Sequence, residues 1–92
     1  MAFSNLKNSD YFNSLLFNGA GGAQSVTGVG FQPDFVWGKS LVSNNHQLLD
    51  SVRGVAKPLE TDTTDAEASD PASSLSSFDS DGFTLAGGSA FN

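Results

Sequence analysis

The chain has no cysteine, so neither a disulfide nor a thiolate metal site holds it together. That excludes a small secreted domain built on disulfides. Basic residues are scarce: Lys7, Lys39, Arg53 and Lys57 face ten acidic residues, for a net charge of −6. Contact with a polyphosphate backbone needs several clustered cations. These four are scattered, so a nucleic-acid partner is not expected. No apolar run approaches the ~20 residues of a membrane-crossing helix, and membrane insertion is not expected. The start, Met1 to Lys7, has no apolar stretch of the signal-peptide kind. Charged residues make up 15% of the chain, below the ~25% of an average soluble domain. Much of the surface must therefore be neutral, which suits packing against neighbouring subunits.

Aromatic and turn-forming residues are plentiful. Eight Phe stand among ten Gly and many Ser, Thr, Asn and Asp. Ninety-two residues make one domain at most. A chain of this length buries roughly 60–68% of its unfolded surface, so the core is thin. No helical apolar period lasts through eleven residues, and no repeat is evident. Short strands joined by polar loops are the expected organisation, about five to seven of them.

Residues 1–10 read as a polar arm with Phe3 and Leu6 as anchors, and 11–92 as a single module. Tyr11 to Phe17 is aromatic-rich and reads as a strand, ended by the Gly-rich turn at 18–22. Gln24 to Val29 alternates loosely and predicts a second strand. Pro33 fixes a turn before Phe35-Val36-Trp37-Gly38-Lys39, the strongest strand signal in the chain. Its period of two puts Phe35 and Trp37 on one face and Val36 on the other. Core packing is the first reading of Trp37, and a ligand-stacking platform is the second. Leu41-Val42 and Gln47 to Val52 predict further strands around a polar turn at 43–46. A polar loop follows at about 60–74, with a helical turn expected near Thr64–Ala68. Leu75 to Leu85 reads as a hairpin turning at Asp79-Ser80-Asp81-Gly82. A Gly- and Ser-rich tail ends the chain.

Candidate chemistry is sparse. His46 is the sole histidine, in a Ser-Asn-Asn-His run without a cysteine or a Gly-x-Ser-x-Gly nucleophile turn to serve. It reads as a hydrogen-bonded loop residue. Asp79-Ser80-Asp81-Gly82 resembles a calcium loop superficially but lacks the Glu that closes one, so it reads as a turn. Asp62, Asp65, Glu67 and Asp70 offer carboxylates for a hard cation, yet read better as a solvated loop face. Nothing fixes two carboxylates at the separation glycoside cleavage requires. Asp50 and Arg53, three apart, read as a structural ion pair with Gly54 bending the chain after it. No catalytic, metal or cofactor-binding residue is assigned, and no cofactor is expected.

Four segments carry a family resemblance. They are Gly28 to Trp37 (GVGFQPDFVW), Leu48 to Gly54 (LLDSVRG), Asp62 to Ala68 (DTTDAEA) and Ser77 to Leu85 (SFDSDGFTL). In that order they resemble a module of tailed-phage virion proteins of the marine and cyanobacterial type, across about residues 11–86. The resemblance implies an all-β fold, an antiparallel β-sandwich of jelly-roll or concanavalin-like kind. It implies a place in the virion and no catalytic residues. Gly38 departs from it, standing where an aliphatic residue is usual. The family module also runs on past the position of Asn92, so the sandwich is expected to be incomplete. A partner subunit or a further C-terminal segment would finish it.

The expected function is thus a non-enzymatic capsid-surface or tail-associated subunit for decoration or attachment. Other virion subunits are the expected partners, in a homo-oligomer such as a trimer. The alternative is a receptor-recognition module of a tail fibre that binds a host-surface glycan. Trp37, His46, Asp62 and Asp65 are the candidate ligand or subunit contacts.

Overall fold

A computed structural model of the chain describes residues 10–42, 44–71, 74–88 and 92. The expected arm at 1–10 lies almost wholly outside the described residues, as do Ser43, Ala72, Ser73 and tail residues 89–91. The described residues contain six strands and no α-helix. They are β1 (Gln24–Val26), β2 (Phe35–Gly38), β3 (Gln47–Asp50), β4 (Leu59–Glu60), β5 (Leu75–Asp79) and β6 (Gly82–Leu85). Two antiparallel sheets result, one in the order β1-β6-β5 and one in the order β2-β3-β4. The fold is all-β, a small and open sandwich.

Alternation decides which side of each sheet is buried. In the first sheet Val26, Leu75, Phe83 and Leu85 point inward. In the second, Val36 and Leu49 do so, and Val29 joins from the connection. These seven side chains form one core shared by both sheets, with Phe17, Phe31, Val55 and Phe78 packed against it. Phe17 meets Phe83 edge-on at 6.3 Å between ring centres.

The outward face of the first sheet is polar and internally bonded. Thr84 Oγ1 donates to Asp79 Oδ2 at 2.6 Å, Ser77 Oγ donates to Asp79 Oδ1 at 2.7 Å, and Ser25 Oγ lies 3.0 Å from Thr84 Oγ1. The Thr84 and Ser77 hydroxyls hold the Asp79 carboxyl below its ordinary range. A bulge between Leu75 and Ser77 shifts the β5–β6 register. The hairpin turns at Ser80-Asp81, and neither residue has a positive φ.

The crossing from the first sheet to the second is fastened at that turn. Gly28 N–H donates to Asp81 Oδ2 at 3.0 Å, and Gly30 N–H donates to Asp81 Oδ1 at 2.7 Å. Between them, Val29 N–H donates to the Asp81 carbonyl at 3.1 Å. Gly28 and Gly30 have φ of 90° and 92°. Side-chain-bearing residues rarely adopt such angles, which is why Gly occupies both places. The two glycine amides hold the Asp81 carboxyl below its ordinary range.

Several local expectations are corrected. Tyr11 to Phe17 is not a strand: the segment is irregular, with Tyr11 69% and Phe12 73% exposed. Leu41 and Val42 form an exposed bend rather than a strand. No helical turn forms near Thr64–Ala68, because Ala68 N–H bonds to the Pro58 carbonyl and Asp70 N–H to the Ala56 carbonyl. Trp37 is not in the core. It is 60% exposed, since the inward side of β2 is the one carrying Val36 and Gly38. β4 was not expected at all.

Leu49→Ala removes a fully buried side chain from the shared core. It is expected to lower the unfolding free energy by about 2–5 kcal/mol in urea titrations. Val52→Ala, at a side chain left in solvent, is expected to stay within about 0.5 kcal/mol of the parent. The Asp81 carboxyl titrates lower in the folded chain than its usual 3.8. Its stabilisation is therefore complete above that value and is lost as pH falls through the folded value. Asp81→Asn is expected to be less stable at neutral pH and to have a shallower acid limb. An unchanged acid limb in urea midpoints between pH 2 and 7 would count against the clamp.

Candidate functional site

Three of the four candidate contact residues meet at one end of the second sheet. β4 pairs with β3 through Gln47–Glu60 and Leu48–Leu59. Directly after β4 the chain turns back over the start of β3. Thr61 N–H bonds to the His46 carbonyl at 3.1 Å, and His46 N–H bonds to Asp62 Oδ1 at 3.1 Å. The indole of Trp37 reaches across β3, where its Nε1–H donates to Thr61 Oγ1 at 3.1 Å. Asn45 Nδ2 and Thr63 Oγ1 both donate to Glu60 Oε2. Trp37, His46 and Asp62 are thus joined around Thr61. Asp65 is not part of this set; it is exposed, and its N–H donates to Thr63 Oγ1 at 3.3 Å. His46 takes part here through its backbone.

Arg53 anchors the loop that carries Thr61 and Asp62. Its Nε donates to Asp50 Oδ2 at 2.5 Å and its Nη1 to Glu67 Oε1 at 2.7 Å and the Lys57 carbonyl at 2.9 Å. Its Nη2 reaches the Leu48 carbonyl at 3.3 Å. Asp50 Oδ1 also takes the Arg53 backbone N–H at 2.7 Å. The Asp50–Arg53 pair is therefore closed by one guanidinium nitrogen and one amide, and the rest of the fork goes elsewhere. Gly54, with φ of 104°, makes the bend after it, and its N–H bonds to the Asp50 carbonyl. The Arg53 amide, then its guanidinium, hold the Asp50 carboxyl below its ordinary range. Asp50 first, then Glu67, hold the Arg53 guanidinium above its ordinary value.

The outward face of the second sheet differs from that of the first. Trp37, Leu48 and Leu59 lie directly opposite one another on three adjacent strands, forming an apolar row. Phe35, 56% exposed, extends the apolar area along β2. A groove of about 650 Å³ runs beside β2, between that strand and residues 10–15, and Phe17, Val29 and Phe83 line its floor. The groove meets all four β2 residues, so it follows the strand's free edge. Among the described residues, no three His, Cys, Asp or Glu side chains are placed to hold a metal ion.

Thr61, Asn45 and the groove were missed in the sequence. The available signal was Pro58-Leu59-Glu60, an apolar residue between a φ-fixed proline and a turn. No curated protein and no solved structure matches the chain. A family model matches residues 7–92, nearly the whole length. The chain belongs to the family described as a domain of unknown function (DUF7483).

Proposed function

We propose that this module is a non-enzymatic structural subunit of a tailed-phage virion, an attachment or decoration element on the capsid surface or tail. The observation that carries the attachment reading is the contrast between the two outward faces. The Ser25, Ser77, Asp79 and Thr84 side chains on the first are bonded to one another and suit water. The second presents exposed Phe35 and Trp37 beside half-buried Leu48 and Leu59. Contiguous exposed apolar surface on a small domain marks an interaction site. The virion assignment rests on the four-segment resemblance. Those segments bond to one another in pairs: Gly28 and Gly30 to Asp81, and Arg53 to Glu67. That is how a scaffold signature behaves.

A second reading is favoured by the indole itself. An exposed Trp37 ring bonded to Thr61, next in the chain to Asp62, offers a stacking face and polar groups of the kind sugars use. The jelly-roll kinship and the glycan ligand both belong to this proposal.

The virion reading is tested on purified particles of a phage that encodes this chain. Peptides of the chain and matching density on capsid or tail are expected; a chain absent from intact particles would sink the idea. For the glycan reading, the parent protein and Trp37→Ala are compared on a glycan array. Binding by the parent that Trp37→Ala abolishes is expected; no binding by the parent rules that reading out.

A further inference from the structure

We infer that the free edge of β2 is a self-pairing interface, through which two copies join in a two-fold, antiparallel strand pair. The inference goes beyond the attachment reading and does not depend on a virion location.

The edge is chemically incomplete. β2 is the outer strand of its sheet, bonded to β3 on one side. Ser51 N–H donates to the Asp34 carbonyl, and the register pairs Val36 with Leu49. In an antiparallel ladder the bonded residues alternate. Val36 and Gly38 therefore spend their backbone groups on β3, and Phe35, Trp37 and Lys39 aim theirs outward. Among the described residues nothing pairs with that outward row, and the groove lies along it. Because the Trp37 indole reaches back over β3 to Thr61, it does not itself lie across the edge, and residues 10–15 face that edge from the other side of the groove.

The charges at the two ends of β2 identify the occupant. Asp34 precedes the strand and Lys39 follows it, and both are exposed. Asp34 Oδ1 accepts from Ser51 Oγ across the β2–β3 pair, and Lys39 Nζ donates to the neighbouring Ser40 carbonyl. An antiparallel mate with a negative start and a positive end is complementary to this edge, and β2 of a second copy has those ends. Parallel pairing would set like charges together. Centring the pair on Trp37 brings the outward backbone groups of both Trp37 residues into register. It also sets Lys39 of each copy opposite Phe35 of the other, one residue from that copy's Asp34. The Trp37–Leu48–Leu59 row then continues across both copies as one apolar stripe. The far wall of the groove, Tyr11 and Phe12, covers the seam.

The test uses the full chain in sedimentation velocity across a range of concentrations. The parent is expected to dimerise, more weakly at high salt because exposed charges are screened. Asp34→Lys and Lys39→Asp are each expected to lose the dimer. The double reversal D34K/K39D is expected to recover it, since the ends remain complementary. Hydrogen exchange at the Phe35 and Trp37 amides is expected to slow as concentration rises. Should Asp34→Lys misfold by circular dichroism, Lys39→Asp and the exchange readout decide the matter. A monomer at every concentration overturns the inference, and so does a trimer. A dimer indifferent to both single reversals, with unchanged exchange at Phe35 and Trp37, overturns it equally.

Discussion

Between Val26 and Phe35 the chain must leave one sheet and enter the other, and the amides along that crossing need partners. Asp81 supplies them. Its carboxylate takes Gly28 and Gly30, and its carbonyl takes Val29. A carboxylate accepting backbone N–H groups forms charge-assisted bonds, stronger than neutral ones. Their effect is positional as much as energetic. They fix where Val29 enters the shared core and where Pro33-Asp34 launches β2. The location of the free edge, the groove beside it and the exposed face of Phe35 and Trp37 all follow from that placement.

Arg53 does the corresponding work at the other end of the second sheet. It gathers Asp50, Glu67 and the carbonyls of Leu48 and Lys57 around one planar group with several donors. A stretch with few apolar side chains cannot be held by burial. The segment from Leu59 to Asp70 is held instead by this arginine, by the short pairing of β4 with β3, and by backbone bonds from Thr61, Ala68 and Asp70 to the His46, Pro58 and Ala56 carbonyls. That is why Thr61 and Asp62 have fixed places beside Trp37 and His46. With a thin core, polar clamps take over positioning that a larger domain would leave to packing.

Local signals were legible in the sequence and long-range ones were not. Phe35-Val36-Trp37 and the turn at Ser80-Asp81 announced β2 and the β5–β6 hairpin, because period and turn chemistry are short-range. The period could not say which side of β2 faces inward. A large aromatic suggested the Trp37 side, but Val36 and Gly38 fit the narrow space between the sheets. Tyr11 to Phe17 had the composition of a strand and is irregular all the same, since β-propensity yields to context. The Asp50–Arg53 pair was visible at a spacing of three. Glu67 was out of range, and so was the link from Asp81 to Gly28 and Gly30. β4, two residues long, gave too little pattern to read. Since β4 carries the turn that gathers Trp37, His46 and Asp62, their meeting was hidden with it.

The two outward faces differ: Ser25, Ser77, Asp79 and Thr84 bond to one another on the first, while Phe35 and Trp37 stand exposed on the second. Both faces depend on the Asp81 clamp holding the sheets in their present relation. Proton NMR of the Gly28 and Gly30 amides through an acid titration tests that clamp most directly. Both resonances are predicted to move together, with one midpoint below the ordinary aspartate value of 3.8. Amides that ignore the titration, or follow it at or above that value, would contradict the account.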